Sequence, residues 1–322
     1  MDQNGIADRR RLRRKLTFWR VIAFVVVIAG IAGLVLSGSP SDPIGGKSAD
    51  HVARVTISGV ITDNTEMVER LDNIRKSERV KALIVRLESP GGTSYGGETL
   101  YKAVRAVAAD KPVVAEVRTL AASAAYMVAC GGDYIVAGDT SIVGSIGVIF
   151  QYAQVADLLE KVGVSVQEIK SAPLKAEPSP FHQASPQARA MIRSMVNDSY
   201  NWFVDIVAEC RGLSRTDTLK LADGSIFTGR QAADNGLVDI IGGDTEIRTY
   251  LSDKGVADSL KIVEWERPKS RGELLFGNAI IRLLSAWRGD AIPFADQFQQ
   301  LIDRKLFLDG LVSVWQFGST EN

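Results

Sequence analysis

From Val52 onward the chain alternates short β-branched and apolar runs with longer stretches in which apolar residues recur every three to four positions. The first pattern suits buried or half-buried strands and the second suits amphipathic helices. Strands are predicted at 52–61, 81–87, 112–117, 134–137 and 164–169. Helices are predicted at 65–77, where Met67, Leu71 and Ile74 share a face, and at 95–109, 121–130, 155–162 and 186–210. Such alternation predicts an α/β layered fold. Beyond 255, apolar residues such as Leu275, Ile280, Leu283, Leu284 and Trp287 keep helical spacing. A helical extension over 256–322 is therefore predicted, packed on the core or on a neighbouring subunit, with membrane contact or substrate capture as the alternatives.

The front of the chain departs from this pattern. Val21 to Leu36 is an unbroken apolar run, and with Phe18 and Trp19 it approaches the roughly 17 to 25 residues that cross hydrocarbon. Before it stand seven basic residues, Arg9, Arg10, Arg11, Arg13, Arg14, Lys15 and Arg20, against Asp2 and Asp8. The whole chain balances 38 basic against 38 acidic residues, so the excess of positive charge is local to this flank. The positive-inside bias puts the N-terminus in the cytoplasm and everything after Ser37 across the membrane. A cleaved secretory signal is the rival reading, since Ser37, Gly38 and Ser39 follow the apolar run. The stretch 38–50 is rich in Gly, Ser and Pro and reads as a tether.

The chemistry is bounded first by what is missing. Only His51 and His182 occur, without HExxH or paired Cys/His spacing, so no metal site is expected. Neither a GxSxG elbow nor a P-loop is present. Cys130 and Cys210 are the only cysteines, too few for a disulfide framework; the sequence leaves their pairing open, and Cys130, in an apolar run, reads as a small buried packing residue. Hydrolytic chemistry would need a serine activated by something other than histidine, His182 being the one outside candidate.

Ser123 is the best placed serine. It follows a predicted strand and lies in Leu120-Ala121-Ala122-Ser123-Ala124-Ala125-Tyr126, where a strand-to-helix turn presents its hydroxyl beside helix amides. A packing serine among alanines is the plain alternative. Ser89-Pro90-Gly91-Gly92, at the end of another strand, is either a simple turn or an oxyanion hole whose glycines leave their amides unobstructed. Lys175 lies among Pro173, Leu174 and Ala176. Loss of hydration there would favour the free amine that a general base requires. Lys170 and Lys161 stay open on composition.

Taken together these segments resemble the signal peptide peptidase A family in its short, single-domain form, over roughly 51–243. The resemblance rests on Ser89-Pro90-Gly91-Gly92, Ala122-Ser123, Val143-Gly144-Ser145-Ile146-Gly147-Val148, Ile169-Lys170-Ser171 through Lys175, Phe227-Thr228-Gly229-Arg230-Gln231-Ala232 and Gly236-Leu237-Val238-Asp239. It implies a Clp protease/crotonase-like ββα fold preceded by one transmembrane helix. It also implies a serine endopeptidase with a Ser123/Lys175 dyad, amides at Gly92 and Ala124 as oxyanion hole, and Ser145 orienting the lysine. No cofactor is implied. The implied partners are peptides such as signal-peptide remnants, the lipid membrane and further copies in a ring, with no nucleic acid. The implied location is the bacterial inner membrane, single-pass, with the catalytic domain outside the cytoplasm. The divisions that follow are a basic cytoplasmic segment 1–20, an anchor 21–37, a linker 38–50, a peptidase domain 51–255 and the extension 256–322. The residues after Ser123 are Ala124 and Ala125, where the family often carries glycine. A peptide-binding scaffold without catalysis, or a crotonase-type acyl-thioester enzyme, are the alternatives on the same fold.

Overall fold

A computed structural model describes residues 49–266, the backbone of Leu311–Val314 and, in a separate unit ending at Ala49, residues 18–20 and 22. The anchor predicted at 21–37 and most of the linker lie outside the described residues. Among the described residues no helix is long and apolar enough to cross a membrane.

The body is a mixed α/β fold built on a parallel sheet. Strands β1 (His51–Ser58), β2 (Val80–Ser89), β4 (Val113–Ala122), β5 (Tyr134–Ala137), β9 (Ile240–Ile241) and β10 (Lys261–Glu264) run in the order β10-β1-β2-β4-β5-β9. Every neighbouring pair in that row is parallel. Parallel neighbours need crossovers, and helices α1 (Thr65–Lys76), α2 (Ser94–Ala108) and α3 (Ala124–Ala129) supply the first of them. Short strands β3 (Gly91–Thr93), β6 (Ile142–Gly144), β7 (Ile149–Phe150) and β8 (Ile226–Thr228) gather at the far ends of the long strands. Helices α4 (Ala156–Lys161), α5 (Pro186–Arg211), α6 (Arg215–Leu221), α7 (Gly229–Asp234) and α8 (Asp244–Asp253) complete the described body, with strand β11 (Leu311–Val314) after it.

The strand period of two decides which residues meet which layer. Ala53, Val55, Leu83, Val85, Leu87, Val113, Ala115 and Ile135 face one core with Leu71, Val104, Met127 and Phe203. Burying each larger side chain contributes roughly 1.5–3 kcal/mol. The intervening residues Val52, Ile84, Val114 and Val136 pack with Ile247 and Leu251 of α8. On that second face the apolar rows turn into charge. The guanidinium of Arg86 donates to both carboxylate oxygens of buried Glu116 at 3.0 and 3.2 Å, and Arg54 reaches Glu116, Asp244 and Glu264.

Three predicted elements differ. Strand β4 runs on to Ala122, so the small-residue helix begins only at Ala124 and Ser123 is its cap. No strand forms at 164–169: Val164, Val166 and Ile169 are exposed, and a strand needs a partner edge, which none of the described residues offers there. The helical spacing beyond 255 does not hold in its described parts, since Lys261–Glu264 extends the sheet on β1 and Leu311–Val314 is also a strand. The rest of that extension lies outside the described residues. Cys130, at the end of α3, is bonded to Cys210 near the end of α5.

Candidate functional site

Ser123 occupies a strained hinge between strand and helix. Its φ and ψ are 57° and −121°, and a non-glycine residue in such a region costs of order 1–3 kcal/mol. Its amide donates to the Gly144 carbonyl at 2.8 Å, and its carbonyl accepts from the Met127 amide at 3.0 Å. The helix that follows is anchored from below: the Tyr126 hydroxyl donates to the Leu237 carbonyl at 2.7 Å, fully buried, and burial pushes that phenol well above its ordinary pKa. The Gly236–Asp239 segment is held in turn by Arg211, which donates to the Gly236 carbonyl at 2.7 Å and pairs with Asp239. This sequence motif therefore serves the floor of the site.

Beside Ser123 runs the glycine turn. The Ser89 hydroxyl accepts the Gly91 amide at 3.1 Å, and Gly91 has φ 104°. Gly91 and Thr93 bracket the Ile61 backbone by hydrogen bonds of 2.8 and 2.9 Å, so a Cβ on Gly92 would stand 1.8 Å from the Ile61 carbonyl oxygen. Only glycine permits that approach. Strand β3 packs against α3, whose first residue is Ala124.

A third segment closes the site. Gly144 has φ 96° and lies under the Phe227 ring of β8, and Ser145 has φ 51° with its amide donating to the Ser225 carbonyl at 2.7 Å. Ser123 and Ser145 open together on a cavity of about 470 Å³ walled by Ile146, Val148 and Ile149 on one side and by Tyr200 and Ala222 on the other. The Tyr200 hydroxyl donates to the Ala222 carbonyl at 2.7 Å. The roles of Tyr200 and 222–224 were not legible in the sequence: the helix that carries Tyr200 is predicted, but nothing in its pattern marks this residue, and 222–224 lie in a loop far from the other motifs.

Lys175 lies elsewhere. It is exposed, on a tight turn whose amide donates to the Ala172 carbonyl at 3.1 Å, and it does not line the Ser123 cavity. The burial expected for it is thus not supplied by the described residues. Lys170, the composition rival, is clamped: its ammonium lies 2.5 Å from Glu168 and 2.7 Å from Glu177. Hydrogen bonds to Glu168 and Glu177 raise its pKa, which keeps its proton in place. The same bond to Lys170, helped by the Ser179 hydroxyl, lowers Glu168 to about 2. His182 joins the cluster at 3.2 Å from Glu177 and 3.4 Å from Glu168, and its pKa is raised, first by the Gln183 carbonyl. Glu168, Glu177 and His182 bring ligand-type atoms within 4.8 Å of one another, and the cation they hold is the Lys170 ammonium. Lys161 is exposed at the end of α4.

Among the described residues, three that are not glycine have positive φ: Ser123, Ser145 and Ala176, the neighbour of Lys175. Each belongs to a segment singled out from the sequence. Such outliers persist where the surroundings over-determine them, which is characteristic of functional sites.

Comparison with known proteins gives a consistent result. A sequence model described as peptidase family S49 matches residues 105–256. A protein of Methanocaldococcus jannaschii named as a candidate protease is 34% identical over 82% of this chain and 90% of its own length. A candidate signal peptide peptidase of Enterococcus faecium is 28% identical over 85% of this chain and 83% of its own. A chloroplastic serine protease of Arabidopsis thaliana is 27% identical over 75% of this chain, which spans 37% of that relative.

Proposed function

The chain belongs to peptidase family S49 and is a serine peptidase, and on that premise we propose that Ser123 is its nucleophile and Lys175 its general base. The observation that carries this reading is the backbone of Ser123, a buried serine forced to positive φ at a strand-to-helix hinge that opens on a cavity. Lys170 is unsuited to the role because two carboxylates hold its proton.

The chemistry follows acyl-enzyme logic. The Ser123 hydroxyl attacks the peptide carbonyl while its proton passes to the neutral Lys175 amine. The developing oxyanion is held by the amides of Gly92 and Ala124, on facing elements beside the serine. Collapse expels the amine, which takes the proton back from Lys175, and a water deprotonated by Lys175 then releases the acyl group. Ser145 orients the lysine from the opposite wall.

The exposure of Lys175 supports a head-to-tail ring in which Ser123 of one subunit meets Lys175 of the next. The segment that carries it presents Leu158, Val162, Val164, Val166, Ile169 and Leu174 to solvent, and clustered apolar exposure of this kind marks interaction surfaces. Association would cover that patch and desolvate the base. The apolar run at 21–36 with its basic flank supports a single-pass anchor with the Clp protease-like domain outside the cytoplasm. The Cys130–Cys210 bond agrees with an oxidising compartment. The substrates are extended apolar peptides released near the membrane, signal-peptide remnants among them, matched to the Ile146, Val148 and Ile149 wall.

Hydrolysis of an apolar peptide library by the full chain in detergent tests the reading. Turnover should vanish in Ser123→Ala, and a serine-directed acylating probe should label Ser123 in the parent. Undiminished turnover by Ser123→Ala would refute it.

A further inference from the structure

One carboxylate stands among the apolar and small residues that line the Ser123 cavity. Beside Ile146, Val148 and Tyr200 the lining includes Asp223, and no other lining residue carries a carboxylate, ammonium or guanidinium. Asp223 is held from both sides. On one side the Ala222 carbonyl accepts the Tyr200 hydroxyl at 2.7 Å, and on the other the Ser225 carbonyl accepts the Ser145 amide at 2.7 Å. Its own Oδ1 accepts the Ser225 amide at 2.9 Å. The Ser225 hydroxyl and amide together hold its carboxyl below the usual carboxylate range, so it is charged at neutral pH.

That charge is left uncompensated. The helix before it, α6, carries two cations, but Lys220 pairs with Asp217 at 2.6 Å and Arg215 pairs with Asp205. Among the described residues no basic side chain pairs with Asp223. An isolated carboxylate beside an apolar wall complements a side chain that is apolar along its stem and cationic at its tip. Lysine and arginine lay their methylenes on apolar surface and keep the charged head at a polar rim. The cavity, about 470 Å³, lies in the range that seats small ligands and has room for such a side chain. Because Ser123 lines the same cavity, the substrate side chain nearest to it belongs to the residue whose carbonyl the serine attacks.

We propose that Asp223 is a specificity-determining residue that favours lysine or arginine at that position of the substrate. The proposal rests on the peptidase reading for the reaction, and the selection of a basic side chain is its own claim. The preferred substrates are peptides in which a basic residue meets an apolar run, cut at the junction. Asp223 is exposed, so solvent screens the attraction and keeps the preference modest, about fivefold. An acidic residue at the same position meets like charge and is disfavoured.

The test uses the full-length chain in detergent and quenched fluorescent peptides that differ only at the residue before the scissile bond, which is lysine, norleucine or glutamate, with the cut confirmed by mass. In the parent, kcat/KM should be about fivefold higher for lysine than for norleucine, and lowest for glutamate. Asp223→Asn keeps an oxygen for the Ser225 amide and removes the charge, so the lysine-to-norleucine ratio should fall to about one. Binding is read separately in the Ser123→Ala chain, where Asp223→Asn should weaken the lysine peptide about fivefold relative to the norleucine peptide. Equal kcat/KM for lysine and norleucine in the parent would overturn the proposal without reliance on the variant. So would a ratio that persists in Asp223→Asn, or an equal loss for every peptide, which would mark a role in holding the loop or Lys175. A lysine preference in binding where no peptide is hydrolysed would support Asp223 as the selector and count against the peptidase reading alone.

Discussion

The Ser123 amide donates to the Gly144 carbonyl across 2.8 Å, so the strained hinge at Ser123 and the strained turn at Gly144 and Ser145 form one hydrogen-bonded unit. The catalytic reading depends on that unit. A change at one turn must therefore be felt at the other.

Gly144→Ala tests the coupling. A Cβ there meets the Ser225 carbonyl oxygen at 2.8 Å and the Phe227 ring at 2.9 Å, on a backbone with φ 96°. The expected cost is about 1–3 kcal/mol of stability, with peptide turnover lowered at least about a hundredfold through displacement of Ser123. Chemical denaturation and kcat/KM measured together check it. Wild-type turnover in a destabilised protein would show that the two turns are not functionally linked.

The acidic clamp around Lys170 predicts a pH dependence of the segment that carries Lys175. Glu168 is held at about 2, below its ordinary value, so its contribution is present above about 4.5 and is lost as pH falls through about 2. His182 is raised, so its contribution is present below about 6.5 and is lost as pH rises through its raised value. Residues 168–182 should be most protected from hydrogen exchange between about pH 4.5 and 6.5, after correction for intrinsic rates. His182→Ala should flatten the decline above neutrality. The effect is modest and fades with salt, because these groups are near the surface. Constant protection from about pH 6 to 8.5 in the parent would contradict the clamp.

Glu116 should matter to stability far more than its place in an apolar strand suggests. Its side chain is buried and takes both hydrogen bonds of the Arg86 guanidinium. Glu116→Ala leaves the guanidiniums of Arg54 and Arg86 without their shared counter-charge, at a cost of about 3–5 kcal/mol. Thermal and urea melts check this, and a loss under about 1 kcal/mol would mean that solvent compensates the pair.

Lys170→Ala and Lys175→Ala distinguish the clamp from the base. Loss of Lys170 loosens the turn and should lower turnover by less than about tenfold, whereas loss of Lys175, the proposed proton acceptor, should lower it at least about a thousandfold. Equal losses would make Lys170 a direct participant.

Much of this was legible in the sequence because local pattern and tertiary role coincide. Met67, Leu71 and Ile74 announce the buried face of α1, and all three are buried there. The run 134–137 is buried on both faces and reads as an apolar strand. Gly91-Gly92 could be read as special, and the close approach of Ile61 gives the reason. Three things were hidden. Glu116 sits in a strand whose period predicts only apolar burial, and two of its partners, Arg54 and Arg86, come from other strands. Tyr200 reaches the Ser123 cavity through long-range packing that no local pattern encodes. The run 164–169 has strand chemistry, yet strand formation depends on a partner edge, which local composition does not encode.

The most direct test of the shared dyad mixes two inactive proteins. A Lys175→Ala subunit keeps an intact Ser123, and a Ser123→Ala subunit keeps an intact Lys175. If the dyad spans neighbours, co-assembly with random pairing should restore roughly a quarter of the parent's peptide hydrolysis. Mixed rings that form yet stay inactive would contradict the account and confine both residues to one chain.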